Sequence, residues 1–469
     1  MSSTFRAMEA RAIVKELTES GCLVKPEVAE SLSGTDLKQI RRLPATPLVV
    51  NETFLERLRD HEEDIVTETS LEVEKHFAGG MEEKDVEDFV AYFNDRITRI
   101  REILRNRREL ENAMSIARLE EYGEKEDVSV IGMVRDKYKT SSGRWIVYLE
   151  DSTGETKILL DEEDGEWLLE DEVIGISGVT GDDIIFANEI VRPDLPITRD
   201  VTTTDEEVYA VFLSDIHYGS IDTLDDYMDR LAEWFTTSEE AKRVGYLFVV
   251  GDMVEGVGNY PGQREELEVE DIYKQYERFE EFVEEIPDRI EIVVIPGNHD
   301  FVRLAEPQPP IPEDVAPRLY DRDNVHMLSN PATVLIHGHA GDPIRVLLYH
   351  GYSMDGHIDE IKELREKAYD EPHHAMVDYL RRRHLAPMYG SNLLAPEDRD
   401  YMVIDEVPDI FAIGHSHAFD VANYKGVNLI SAGTMQAQTD FQKRMGHEPD
   451  PGEIAMVNLQ TRDTTVKEL

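Results

Sequence analysis

The chain has 469 residues, and Asp and Glu total 99 against 49 Lys and Arg, for a formal net charge of −50. At roughly 150 residues per domain that length implies two or three domains, and 41% hydrophobic content with 15 Phe and 19 Tyr excludes a disordered acidic chain. Such acidity suits a salt-rich solution, where screening shortens to about 3 Å at 1 M, and excludes a general polyanion-binding coat: a nucleic acid would have to be held by metal ions or a confined basic patch.

The start of the chain carries Arg6, Glu9, Arg11 and Lys15 where a signal peptide needs an apolar core, and no apolar run approaches the ~18 residues of a membrane span. A soluble, cytoplasmic protein with no membrane partner is expected. Ile13, Val14 and Leu17 form a helical stripe, Gly21 breaks it, and Ser33 and Thr35 offer caps before Leu37 and Ile40. These residues predict an N-terminal helical domain over 1–50, bounded by Pro44 and Pro47. Cys22, the single cysteine, excludes an internal disulfide and reads as a small buried apolar residue. A charged helical connector follows over 51–126, with Phe89, Tyr92, Phe93, Ile97, Ile100 and Leu104 at helical spacing.

Over 127–196 the period changes to two: VSVIGMV, WIVYLED, TKILLD, VIGISGV and DIIFANEI are separated by Gly, Ser and Asp turns. Five short strands predict an OB-type barrel. RPDLP and an acidic Thr-rich stretch to Glu207 read as a linker. From 205 to 469 apolar strands alternate with amphipathic helices, one carrying Leu224, Met228, Leu231 and Phe235, another Ile272, Tyr276, Phe279 and Val283. The fold class expected is therefore multidomain α/β and β.

The chemistry lies at the carboxyl ends of five apolar runs. VYAVFL is followed by Asp215 and His217, YLFVV by Asp252, EIVVI by Asn298, His299 and Asp300, VLLY by His350, and DIFAI by His415 and His417. Strand ends on one rim are where open α/β sheets bind ligands. Two residues apart on extended chain, Asp215 and His217 point to one side, as do His415 and His417, so each pair is able to chelate an ion. Imidazole, carboxylate and amide oxygen suit divalent transition ions. His337 and His339 resemble the last motif but precede a GDP turn, and they read as turn residues; His373 and His374 read as solvent-facing.

This ordered set resembles the calcineurin-like metallophosphoesterase family over residues 208–435. The resemblance implies an α/β sandwich holding two divalent ions, Mn²⁺ first, with Zn²⁺, Fe²⁺ or Mg²⁺ as alternatives. Carried over, Asp215, His217, Asp252 and His417 would hold one ion, and Asp252, Asn298, His350 and His415 the other, while His299 would act on the leaving oxygen. One departure is visible: the family's GDxxD is here Gly251, Asp252, Met253, Val254, Glu255.

The segments GDMVEGVGNYPGQ, AEPQPPIP, YHGYSMD, RRRHLAPMYG and SAGTMQAQTDFQKRMG, with a barrel upstream, resemble the small subunits of archaeal two-subunit family D DNA polymerases. That resemblance implies a large catalytic polymerase subunit as partner and a 3′ to 5′ exonuclease acting on single-stranded DNA ends. A catalytically silent scaffold and a free-standing phosphodiesterase are the competing readings. Arg96, Arg99, Arg101, Arg105, Arg107, Arg108 and Arg381 to Arg383 offer either phosphate contacts or internal and partner-facing ion pairs; Tyr138, Trp145 and Tyr148 offer stacking surfaces or barrel interior.

Overall fold

A computed structural model describes residues 68–79 and 83–469, and in the N-terminal part residues 13–15, 17, 18, 22–25, 28, 29, 32, 40, 49–51 and 54. The chain divides into two compact units, Met1–Thr67 and Glu68–Leu469. In the first, residues 13–15, 17 and 18 are helical as expected, and Ile13, Leu17, Cys22, Val28, Leu32, Ile40 and Val50 share one apolar cluster. A short parallel pair, Leu23–Val24 with Val49–Val50, is an addition to the helical expectation. Gly21, Ser33, Thr35, Pro44 and Pro47 lie outside the described residues.

The second unit is mixed α/β with a closed five-stranded barrel and two six-stranded sheets. The barrel strands are Asp127–Lys139, Trp145–Asp151, Gly154–Leu160, Val173–Thr180 and Ile185–Val191, the five runs expected from their alternation. Alternate residues, Val128, Val130 and Val147 among them, are buried in a common interior.

In the first sheet Val325–Met327, Glu291–Ile295, Val244–Val250 and Tyr209–Leu213 run parallel, and Glu453–Asn458 and Thr464–Glu468 close it antiparallel. Helices Asp225–Thr237 and Ile272–Glu285 cover one face, placing Leu231, Phe235, Tyr276 and Phe279 against Val211, Leu247 and Val294. In the second sheet Ala332–Ile336, Ile344–Leu348, Ile410–Ile413 and Val427–Ala432 are central. Its outer face is covered by Met354–Glu360 and His373–Arg382, which set Ile358, Met376 and Tyr379 against Leu347, Phe411 and Leu429. The opposite faces are buried as well, through Phe212 and Phe248 in the first sheet and Val334 and Val346 in the second. Phe212 stacks on Phe248 there at 4.9 Å, and the Tyr246 hydroxyl of the first sheet meets His337 of the second at 3.2 Å.

The expected connector helix is Val86–Leu104, opened by a capping box in which Asp85 and Asp88 satisfy each other's backbone N–H. Its apolar stripe packs on Ile131, Met133 and Val173 of the barrel. The helical expectation fails upstream: Leu71–Lys75 is a strand, pairing antiparallel with Ala332–Ile336 at the edge of the second sheet. LEVEK has period two, but its charges masked an alternation that only pairing with a partner strand makes favourable.

The helix is also bolted electrostatically. Arg96, 1% exposed, donates to Asp400 Oδ2 at 2.7 Å; Tyr92 donates to Asp400 Oδ1 at 2.6 Å, and His384 lies 2.8 Å from the same carboxylate. Arg99 pairs with Asp405 and Asp95, Arg382 with Asp378 and Glu172. These arginines are internal ties, as one of the two expectations for them had it. Among the described residues no helix is long and apolar enough to cross a membrane.

Candidate metal centre

The chemistry-bearing side chains follow the strands Tyr209–Leu213, Val244–Val250, Glu291–Ile295, Ile344–Leu348 and Ile410–Ile413. They converge for a different reason than strand alternation. Asp215, His217, Asp252, His415 and His417 all have φ between 50° and 68°, a left-handed conformation in residues with side chains. Each such residue costs on the order of 1 kcal/mol or more and persists only where its surroundings hold it. Sharp left-handed turns, not extended chain, aim these pairs inward. Close backbone approach completes the geometry: a Cβ on Gly297 would collide with Asp252 Oδ1, and one on Gly251 with His350 Nδ1. Only glycine fits at either place.

Asp215, His217 and His417 form one group. His417 Nε2 is 3.4 Å from Asp215 Oδ1 and 3.1 Å from His217 Nε2. Asp252, His350 and Asn298 form the other, with His350 Nε2 3.2 Å from Asp252 Oδ2 and 3.1 Å from Asn298 Oδ1. Between them lies Asp252: its Oδ1 accepts from the His299 backbone N–H at 2.7 Å, and its Oδ2 lies 3.2 Å from His350 Nε2 and 3.9 Å from His217 Nε2. A carboxylate oxygen between two imidazole nitrogens is in position to bridge two ions. Asp215 Oδ1 is buried without a hydrogen-bond partner, and two imidazole nitrogens face each other at 3.1 Å, so the donor set fits cations. Three sets of ligand atoms, Asp215/His217/His417, Asp215/Asp252/His350 and His217/Asp252/His299, each fall within 4.8 Å of one another.

His415 stands apart from these sets. Its Nε2 is 3.1 Å from Asp355 Oδ2, which leaves Nδ1 as the nitrogen for an ion, and its ring lies 5.4 Å from that of His350. His299 borders the site, its Nδ1 fixed 2.9 Å from the Glu255 carbonyl. Sequence reasoning assigned no role to several supports. Asp300 accepts from the backbone N–H of Asp252 and Gly297, both at 2.8 Å, and from Tyr276 at 3.0 Å. The Gln442 amide lies 2.9 Å from His417 Nδ1. Asp300 was visible as the last letter of GNHD; Gln442 arrives on the distant helix Asp440–Met445, and no spacing could have pointed to it. His350 Nδ1 donates to the Val250 carbonyl at 2.8 Å, which leaves Nε2 facing Asp252.

Burial alone would raise the carboxylates, but the surrounding imidazoles outweigh it: Asp215 and Asp252 are held below the ordinary range and Glu255 at about 2. Burial lowers His350, and Asp252 more than reverses it, carrying the imidazole up to about 9. Asp300 is pushed to about 7 by burial and then by the charge of Asp252. The rim is built to hold positive charge, and a divalent ion would compete with protons for the same nitrogens. His337, His339, His373 and His374 lie outside it; His373 is not freely solvated as expected, because its Nδ1 bonds Asp420 at 2.7 Å.

Residues 210–421, which span most of the paired sheets and the His/Asp rim, match the family of B subunits of DNA polymerases alpha and epsilon. The chain is 42% identical over 390 residues to the DNA polymerase II small subunit of Halobacterium salinarum, covering 81% of this chain and 75% of that one. It is 40% identical over 383 residues to the small subunit of Archaeoglobus fulgidus, at 79% and 75% coverage, and 37% over 414 residues to that of Methanothermobacter thermautotrophicus, at 85% and 82%. The chain belongs to the DNA polymerase II small-subunit family.

Proposed function

We propose that the chain carries a two-metal 3′ to 5′ exonuclease acting on single-stranded DNA ends, serving proofreading alongside a large catalytic polymerase subunit. The paired sheets are read as a metallophosphoesterase sandwich and the barrel as an OB fold. The observation that carries this is Asp252 Oδ2, set between His350 Nε2 and His217 Nε2 at 3.2 and 3.9 Å. Asp215, His217, Asp252 and His417 would hold one ion and Asp252, Asn298, His350 and His415 a second, Mn²⁺ foremost.

When bound, two divalent ions supply charge neutralisation at the phosphodiester and acidification of a water. The chain's part is to position and to move a proton. Glu255 and the Val250 carbonyl fix the His217 and His350 rings. His299, its Nδ1 proton committed to the Glu255 carbonyl, presents Nε2 to the site edge, where, as the imidazolium, it would give its Nε2 proton to the departing 3′ oxygen and be left as the neutral Nδ1–H ring.

The test is a nuclease assay on the purified chain with 5′-labelled single- and double-stranded DNA, with and without Mn²⁺. Shortening from the 3′ end of single strands only when Mn²⁺ is present is expected. No cleavage by the chain alone or with its large subunit would leave the scaffold reading in its place.

A further inference from the structure

Three side chains that the proposed nuclease does not use converge at the opposite end of the two sheets. Glu206 precedes the strand Tyr209–Leu213, whose far end leads to Asp215, and His337 and His339 follow Ala332–Ile336, antiparallel to the strand that leads to His350. His337 Nε2 is 3.6 Å from Glu206 Oε2, the two histidine rings are 4.3 Å apart, and one donor atom from each of the three residues falls within 4.8 Å of the others.

His337 is the decisive residue. It is 1% exposed, and its Nε2 is buried with no hydrogen-bond partner. Its other nitrogen is accounted for. His337 Nδ1 lies 3.2 Å from the Tyr246 hydroxyl, which also meets the Ser70 carbonyl and accepts from the Ser70 N–H, both at 3.1 Å. The ring is thereby held with Nε2 toward Glu206. Burial, and then His339, lowers the affinity of His337 for a second proton. A buried, unpartnered imidazole nitrogen oriented by a hydrogen bond on its far side is how ligand histidines are prepared.

We propose that Glu206, His337 and His339 form a further metal site, separate from the His/Asp rim, that takes a divalent transition ion such as Zn²⁺. Two imidazoles and one carboxylate match its preference, with bonds of about 2.0 to 2.2 Å. His337 is the fixed anchor; Glu206 and His339 are exposed, so their side chains are free to close in. Solvent completes the coordination. An ion here ties the segment entering the first sheet to the turn leaving a strand of the second. His339 Nδ1 also meets Ser70 Oγ at 3.2 Å, which joins the start of the edge strand Leu71–Lys75 to the same point.

The experiment uses the full chain, stripped by a chelator, equilibrated with micromolar free Zn²⁺ and analysed for zinc by mass spectrometry. His339→Ala and Glu206→Gln, both surface changes, are expected to hold one zinc per chain fewer than wild type, to lose part of the zinc-induced rise in Tm, and to keep Mn²⁺-dependent DNA cleavage. His337→Gln should behave alike if it folds. Equal zinc content in wild type and both surface variants overturns the proposal.

Discussion

Glu255 Oε2 lies 3.0 Å from His217 Nδ1. Since Glu255 is held at about 2, where burial opposes ionisation but His217 and His299 outweigh it, the carboxylate can only accept. His217 therefore carries its proton on Nδ1 and turns Nε2 toward Asp215 and Asp252. Tyr260, Gln263 and Gln436 donate to the same carboxylate at 3.1 to 3.2 Å. Glu255, the position at which the sequence departs from GDxxD, thus reaches and supports the His217 ring.

Glu255→Gln should fold and should weaken Mn²⁺ binding by about 10- to 100-fold, the usual cost of losing the outer partner of a ligand histidine. The amide keeps the size and loses the charge. Titration calorimetry with Mn²⁺ checks it; wild-type affinity in the variant would mean that His217 is oriented by something else.

Asp252→Ala and His299→Ala should fail in different ways. The first removes the oxygen shared between the two groups, so bound metal and cleavage should vanish together. His299→Ala should keep both ions and lose at least about two decades of rate, within the range of a lost general acid. Metal analysis beside single-turnover rates separates the two; full metal occupancy in Asp252→Ala would sink the ligand assignment.

Much of this was legible in the sequence, and the reasons differ by element. Short apolar runs ending in Asp, His or Asn announce both strand and site because the rim of a parallel sheet is where such side chains gather. The barrel was readable because alternation survives burial of one face. What could not be read depends on distant partners. The edge strand Leu71–Lys75 exists because Ala332–Ile336 offers it hydrogen bonds. The left-handed turns at Asp215 and His217 leave no local signal, since neither residue is glycine. Likewise, His337 reads as a turn residue until Tyr246, from another sheet, holds its ring in place.

The buried network that holds the connector helix should make stability depend on pH through His384. Burial first and Arg96 second push its imidazole down from 6.5 to about 4, against the pull of Asp400. As pH falls below 6.5 the unfolded chain takes the proton first, so stability that is full above 6.5 is lost progressively down to about 4. The contribution of this one group is at most about 3 kcal/mol, at about 1.36 kcal/mol per pKa unit. His384→Gln should flatten that limb relative to wild type in denaturant melts at successive pH values. Parallel curves for the two proteins would remove His384 from the acid response.

Salt should act on the isolated chain in the direction opposite to that of a basic nuclease. The formal charge is −50, and four of the nine arginines that could have made a phosphate track are spent inside: Arg96 on Asp400, Arg99 on Asp405, Arg382 on Asp378 and Glu172, and Arg383 on the Asp405 carbonyl. Two polyanions repel most when screening is weak, and the Debye length shrinks from about 30 Å at 0.01 M to about 3 Å at 1 M. Attraction at the site would come from bound ions and from the few exposed residues such as Arg105. Raising monovalent salt toward molar should therefore raise, or at least not lower, Mn²⁺-dependent cleavage of single-stranded DNA by the chain alone. The contrast is with ordinary DNA-binding proteins, whose affinity falls steeply with salt as counterions are released. Cleavage measured across that range, at fixed Mn²⁺, decides it: a steep monotonic fall would mean that a concentrated basic groove governs the encounter and that the internal arginines are not the ones that matter.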